Sequence, residues 1–233
     1  MEERFTEVHH SMLFGAAFME SGKMAEAGVL FDNANSRLYE ISLEFRNEPT
    51  LDLSTLNFTA PFNIMKDSFH GRGTQFWEKD GFYHHFIPVS CDTSSTTKSI
   101  SISESFSKLT AWTMTALYNS ALCNQLEGVS NKPHLLRDAI ERYENVLSVS
   151  YQCLSSCKCQ ESIVFLQMAV FMNLSDCYAS LGKLDESFQW ILCLKAVVDL
   201  CERTKPHFLS MDLFSVFRVA AKIRSRHVSA GAA

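Results

Sequence analysis

The stretch FMNLSDCYASLGKLDES, residues 171–187, decides the fold. Ser175 is followed three residues later by Tyr178, four later by Gly182 and five later by Ser187, with Ile191 and Leu194 next at intervals of four and three. The stretch LFGAAFMESGKMAEA, residues 13–27, has the same intervals at Gly15, Phe18, Gly22 and Ala27, continuing to Phe31 and Ala34. Small residues let two helices approach closely, large ones fill the gap between them, and a glycine permits the tight turn. Each stretch therefore reads as an antiparallel helical hairpin. A third copy is partial. Ala121 takes the small-residue place and Ala139, Tyr143 and Val146 match the second helix, but Asn124 stands where the aromatic belongs and Glu127 to His134 lengthens the turn.

Working outward, the spacing predicts helices over residues 7–19 and 23–45. In the second of these Met24, Ala27, Leu30, Phe31, Ala34, Leu38 and Ile41 form one apolar stripe. Pro49 ends this pair. Further helices are expected over 105–126, 134–153, 161–181, 185–203 and 208–226, joined by short connections that make successive helices antiparallel. Between Thr50 and Glu104 the texture changes. Pro61, Gly71, Gly73, Gly81 and Pro88 punctuate it, and residues 53–58 and 82–89 are extended candidates, with 99–102 a third that could equally belong to the next helix. Phe58, Phe62, Phe69, Phe76, Trp77, Phe82, Tyr83 and Phe86 make this an aromatic insertion that packs on the helices rather than a free linker.

The repeated spacing resembles the tetratricopeptide (TPR) repeat, whose pattern is a small residue, an aromatic, then Ala-x3-Phe on the second helix. The layout is most similar to the lineage-expanded TPR-like proteins of diatoms, through Leu13 to Ala34, LYNSAL at Leu117 to Leu122, DAIERYE running from Asp138 toward Val146, and Phe171 to Ser187. It departs at Ser11, Ser120 and Ser187. The resulting expectation is a single all-α, TPR-like domain over 1–233. Three helical pairs (7–46, 105–155 and 160–204) are followed by a capping helix at 208–227, and an irregular insertion at 50–104 has room for a small β-hairpin.

The 233 residues carry 21 Lys and Arg against 26 Asp and Glu, a net charge of −5 that lends no support to nucleic-acid binding. Nine Gly and five Pro argue against a disordered chain. The acidic, polar start MEERFTEVHH has neither the character of a secretory signal nor that of a transit peptide. The apolar run Ile163 to Leu174 is too short to cross a bilayer. The expectation is an intracellular protein, cytoplasmic or nuclear, without membrane insertion, its eight cysteines reduced.

In TPR-like arrays the first helix of each pair lines a concave face that holds extended peptides. The resemblance thus places a protein or peptide partner against His9, Met12, Ala16 and Met19, then Tyr118, Asn119 and Leu122, then Met172, Asn173 and Asp176. Asn119 and Asn173 take the same place in their repeats, either pairing with a bound main chain or tying neighbouring helices together. This reading requires Met12, Asn119 and Asn173 to be at least partly exposed. The alternative is a structural subunit of a larger assembly, docked through Phe69, Phe76, Trp77 and Phe82.

No catalytic motif is present: no P-loop, no G-x-S-x-G, no H-E-x-x-H and no G-x-G-x-x-G. The expectation is a non-enzymatic scaffold with no cofactor. Cys153, Cys157 and Cys159 lack a fourth zinc ligand and read as thiols at a helix end. His84 and His85 alternate on a strand candidate and cannot easily share an ion. His70 to Gly73 is not followed by a helix start, as a phosphate site would be. The basic tail Lys222, Arg224, Arg226 and His227 suits the preceding helix C-terminus. Arg137, Asp138, Glu141, Arg142 and Glu144 read as a solvated helix face.

Overall fold

A computed structural model describes residues 2–45, 102–129, 132–154, 160–204, 214 and 217–222, and these are all-α, with no strand among them. In chain order the helices are α1 (Glu2–Glu20), α2 (Met24–Phe45), α3 (Ile102–Val129), α4 (Pro133–Leu154), α5 (Gln160–Ser180) and α6 (Leu184–Thr204), with residues 217–222 also helical. The expected insertion from 50 to 101, its hairpin and its aromatics lie outside the described residues, as does most of the expected capping helix. The chain divides into two compact units, Met1–Gln160 and Glu161–Ala233.

The helix ends differ from the sequence expectation mainly at α1 and α3. Helix α1 begins five residues earlier than the apolar spacing suggests, at Glu2. Phe5 anchors the first turn edge-on against Trp112 of α3, with ring centroids 5.5 Å apart. Helix α3 begins at Ile102, so residues 102–104, expected within the insertion, are helical.

The turns of the first and last hairpins are built alike. Gly22 adopts φ 78° and Gly182 φ 73°, a left-handed conformation that glycine reaches without a Cβ penalty. At the first, the Gly22 N–H donates to the Met19 carbonyl (3.0 Å) and the Lys23 N–H to that of Phe18 (2.9 Å). At the last, Gly182 donates to Ala179 (2.9 Å) and Lys183 to Tyr178 (2.9 Å). Both are the crossed pair of bonds that satisfies the last carbonyls of a helix. Lys23 and Lys183 each lie over the aromatic ring at the bond's other end, Phe18 at 5.5 Å and Tyr178 at 5.7 Å. The common spacing read in the sequence is therefore a common bonding pattern.

Within the first hairpin, α1 meets α2 where Gly15 faces the fully buried ring of Phe31. A methyl group placed on Gly15 would lie 2.8 Å from Phe31 Cζ, with two further ring atoms at 3.0 and 3.1 Å. Burying such a ring contributes roughly 1.5–3 kcal/mol, and it is possible here only because Gly15 has no side chain. Tyr143 of α4 plays the part of Phe31 in the next hairpin. Its ring lies 5.7 Å from that of Tyr118, and its hydroxyl donates to Gln125 Oε1 at 2.8 Å, so it spans the small residue Ala121. Ser175 and Ser187, in the places of Gly15 and Ala27, hydrogen-bond to one another at 2.9 Å in the last hairpin.

Helix α2 also packs against α3. A methyl group on Gly28 would lie 3.6 Å from Cys123 Cβ, Ser120 Oγ donates to Asp32 Oδ1 at 2.6 Å, and the rings of Phe45 and Phe106 meet edge-on at 5.9 Å. Residue numbers rise on α2 as they fall on α3, so the two run antiparallel.

Replacing Gly15 with valine should destabilise the fold by about 1–3 kcal/mol, the usual cost of overpacking a filled site. Combining Gly15→Val with Phe31→Leu should cost less than the sum of the two single changes. Urea denaturation of the four proteins measures this coupling; strict additivity would show that the ring and the glycine do not meet.

Candidate interaction faces

The structure does not open a groove at the ten residues the resemblance singles out. Met12 is 2% exposed, Asn119 1% and Asn173 0%. Met19, Tyr118, Leu122, Met172 and Asp176 are also buried, and His9 and Ala16 are half-buried. The expectation that these side chains line an accessible surface is therefore corrected.

The cause is bulk between the first helices. Trp112 of α3 lies against both Phe5 and His9 of α1, at 5.5 and 6.0 Å between centroids, and Lys108 Nζ sits over the rings of Phe5 and Trp112 at 5.1 and 4.6 Å. Burial, the neighbouring His10 and the Lys108 ammonium hold the His9 imidazole below its usual pKa. In α5 every residue from Phe165 to Cys177 is buried, which leaves no open face at Met172, Asn173 or Asp176. The window Ile163–Ser180 is long and apolar enough to cross a membrane by length and composition, longer than the run judged from the sequence. Core helices meet the same criteria, and most of this window is buried.

On α1 the open face lies one residue further along the chain. His10, Leu13, Ala17 and Glu20 are exposed where His9, Met12, Ala16 and Met19 were expected. A step of one residue turns a helix by about 100°, enough to exchange a groove position for a packed one. Beside them Phe14 is 61% exposed. A second apolar face is on α6. Leu192 is 46% exposed, Cys193, Ala196 and Leu200 are exposed, and Ile191, Leu194, Val198 and Cys201 are buried on the opposite side. Sequence reasoning missed both faces because apolar side chains on a helical stripe are taken first as core.

Arg142 is the other position that the sequence did not disclose. Its guanidinium pairs with the Asp32 carboxylate, through Nη1 to Oδ1 and through Nη2 to Oδ2 at 3.1 Å, and Nη1 donates to Ser120 Oγ at 2.6 Å. This ties α2, α3 and α4 at one point. Arg137, Asp138, Glu141 and Glu144 are exposed, as a solvated face requires, whereas Arg142 is turned into the junction.

A polar hollow of about 430 Å³ lies between α1 and α2, lined by Ser11, Asn33, Ser36, Arg37 and Glu40. Arg37 pairs with Glu7, and the Ser11 and Ser36 hydroxyls donate to the Glu7 and Asp32 carbonyls at 3.1 and 3.0 Å. Ser11, Ser36 and Arg37 are thus engaged within the fold.

Among the described residues, no three His, Cys, Asp or Glu side chains are placed to hold a metal ion. Cys153 is a buried thiol, and Cys157, Cys159, His70, His84 and His85 lie outside the described residues. Cys123 and Cys177 are buried while Cys193 is exposed. Burial chiefly, then the Asp32 and Glu127 carboxylates, pushes the Cys123 thiol up to about 12. Burial and Asp176 raise that of Cys177 further.

Native protein treated with an alkylating reagent near pH 8 should therefore be modified at Cys193 and spared at Cys123 and Cys177, as read by peptide mass spectrometry. Raised folded-state values also set a sign. The unfolded thiols ionise near 9, so stability is whole below that pH and falls above it, by about 1.4 kcal/mol per pH unit for each such thiol. Cys123→Ala should flatten that alkaline slope in denaturant titrations. A slope unchanged by the substitution would show that Cys123 ionises normally.

Neither a protein-family model, nor a curated protein, nor a solved structure matches this chain.

Proposed function

We propose that this chain is a non-enzymatic, TPR-like helical scaffold that binds a protein partner through the outward apolar faces of α1 and α6. Phe14 carries this reading. A large ring 61% exposed beside Leu13 and Ala17, on a helix whose other side is fully packed, is surface that an isolated fold does not require. The shared turn bonds and the Gly15–Phe31 and Ala121–Tyr143 packing support the TPR-like arrangement. The reading assigns no catalytic residue and no cofactor, and its partner surface replaces the buried positions at Met12, Asn119 and Asn173.

Tagged protein captured from its own cells should retain a stoichiometric protein partner that Phe14→Glu or Leu192→Glu releases at least about tenfold, the effect of losing roughly 1.4 kcal/mol at a contact. Both variants should keep the wild-type melting temperature, because neither side chain is in the core. A partner set unchanged by either substitution would overturn this assignment of the surface.

A further inference from the structure

Resting on that reading, we infer that the partner of these faces is a second copy of the same chain, with α6 of one molecule packed against α1 of the next. Residues of α1 match those of α3 with a shift that takes Gly15 to Ala121, so Leu13, Phe14 and Ala17 correspond to Asn119, Ser120 and Cys123. In α3 that face is covered: Ser120 bonds Asp32 and Cys123 lies against Gly28, both on α2. On α1 the same face is bare.

What covers such a face is therefore known from within the chain. It is a helix running antiparallel and presenting the positions of Gly28 and Asp32. The shift that takes Gly15 to Ser175 takes those positions to Phe188 and Leu192 of α6. Phe188 is half-buried and Leu192 exposed.

The residue pairs change together. Asp32 with Ser120, polar on polar, becomes Leu192 with Phe14, apolar on apolar. Gly28 with Cys123, small on small, becomes Phe188 with Ala17, large on small. A mismatch at either pair would have put a carboxylate against a ring or two large side chains in one place. Neither occurs, so at these two pairs the faces complement each other in both polarity and volume. The contact is heterologous, using different surfaces on the two molecules, and it either closes into a ring or continues as a filament.

Full-length purified protein, examined by sedimentation velocity from micromolar to hundred-micromolar concentration, should rise above the mass of one chain. Phe14→Glu should remain a single chain because its α1 face is blocked, and Leu192→Glu should do so because its α6 face is blocked. Mixed in equal amounts, the two variants should recover a complex of two chains and no more, since one unblocked α1 face and one unblocked α6 face remain. Should Phe14→Glu lower the melting temperature, Ala17→Arg is the second α1 variant, at an exposed small residue.

A wild type that stays monomeric throughout would overturn the inference. So would self-association of either variant alone, which indicates contact between like faces, and so would a mixture that fails to pair. A monomeric wild type together with a captured cellular partner that Phe14→Glu releases would leave the scaffold reading standing and remove only the second copy as its occupant. A self-associating chain whose cellular partners ignore both substitutions would do the reverse.

Discussion

The ring of Phe31 lying over a residue with no side chain is the contact on which the described architecture turns. With Gly15 in place, α1 and α2 approach closely enough for Phe31, Ala27, Ala34 and Leu38 to be removed from water together. That approach fixes which side of α2 remains for α3, and Gly28, Asp32 and Phe45 occupy it. Tyr143 over Ala121 repeats the arrangement with a slightly larger small residue and a ring that carries a hydroxyl, satisfied by Gln125. The Asp32–Ser120–Arg142 junction then ties three helices where their surfaces meet. Much of its pairing is accessible to water, so its value lies more in fixing register than in net stability.

Much of this was legible in the amino-acid order because it depends on local chemistry. Gly22 and Gly182 announce left-handed turns, and the interval from small residue to ring announces a close helical crossing. The observed turn bonds are the direct expression of both. The partial copy was legible only in part: Asn124 takes the aromatic's place and the stretch of sequence from Glu127 to His134 is longer. Its helices nevertheless pack through Tyr143 as the spacing at Ala139, Tyr143 and Val146 implies.

The candidate site was far less legible, for a physical reason. Whether a residue on the first helix of a pair faces solvent or a neighbour depends on a rotation of one residue's worth of turn, and on the size of a side chain on another helix. Trp112 is distant in sequence from Phe5 and His9, and nothing in the local pattern of α1 signals that it will close the space beside them. Asn119 and Asn173 illustrate the same limit. Their shared place in the repeat was visible, and of the two roles open to a polar residue there, burial favours the one that joins helices. Arg142, one charge in an alternating run, was indistinguishable from its solvated neighbours until Asp32 was placed opposite it.

The proposed partner surface therefore lies not in an internal groove but on outward faces, whose chemistry is set by comparison with their covered counterparts. The most direct measurement is cross-linking with a short thiol-reactive bifunctional reagent. It would use an Ala17→Cys variant, which places a thiol on the α1 face while Cys193 supplies one beside Leu192 on α6. The account predicts that peptide mapping finds residue 17 of one molecule joined to residue 193 of another as the dominant intermolecular product. Links joining residue 17 to residue 17, or no intermolecular link through residue 17, would contradict it.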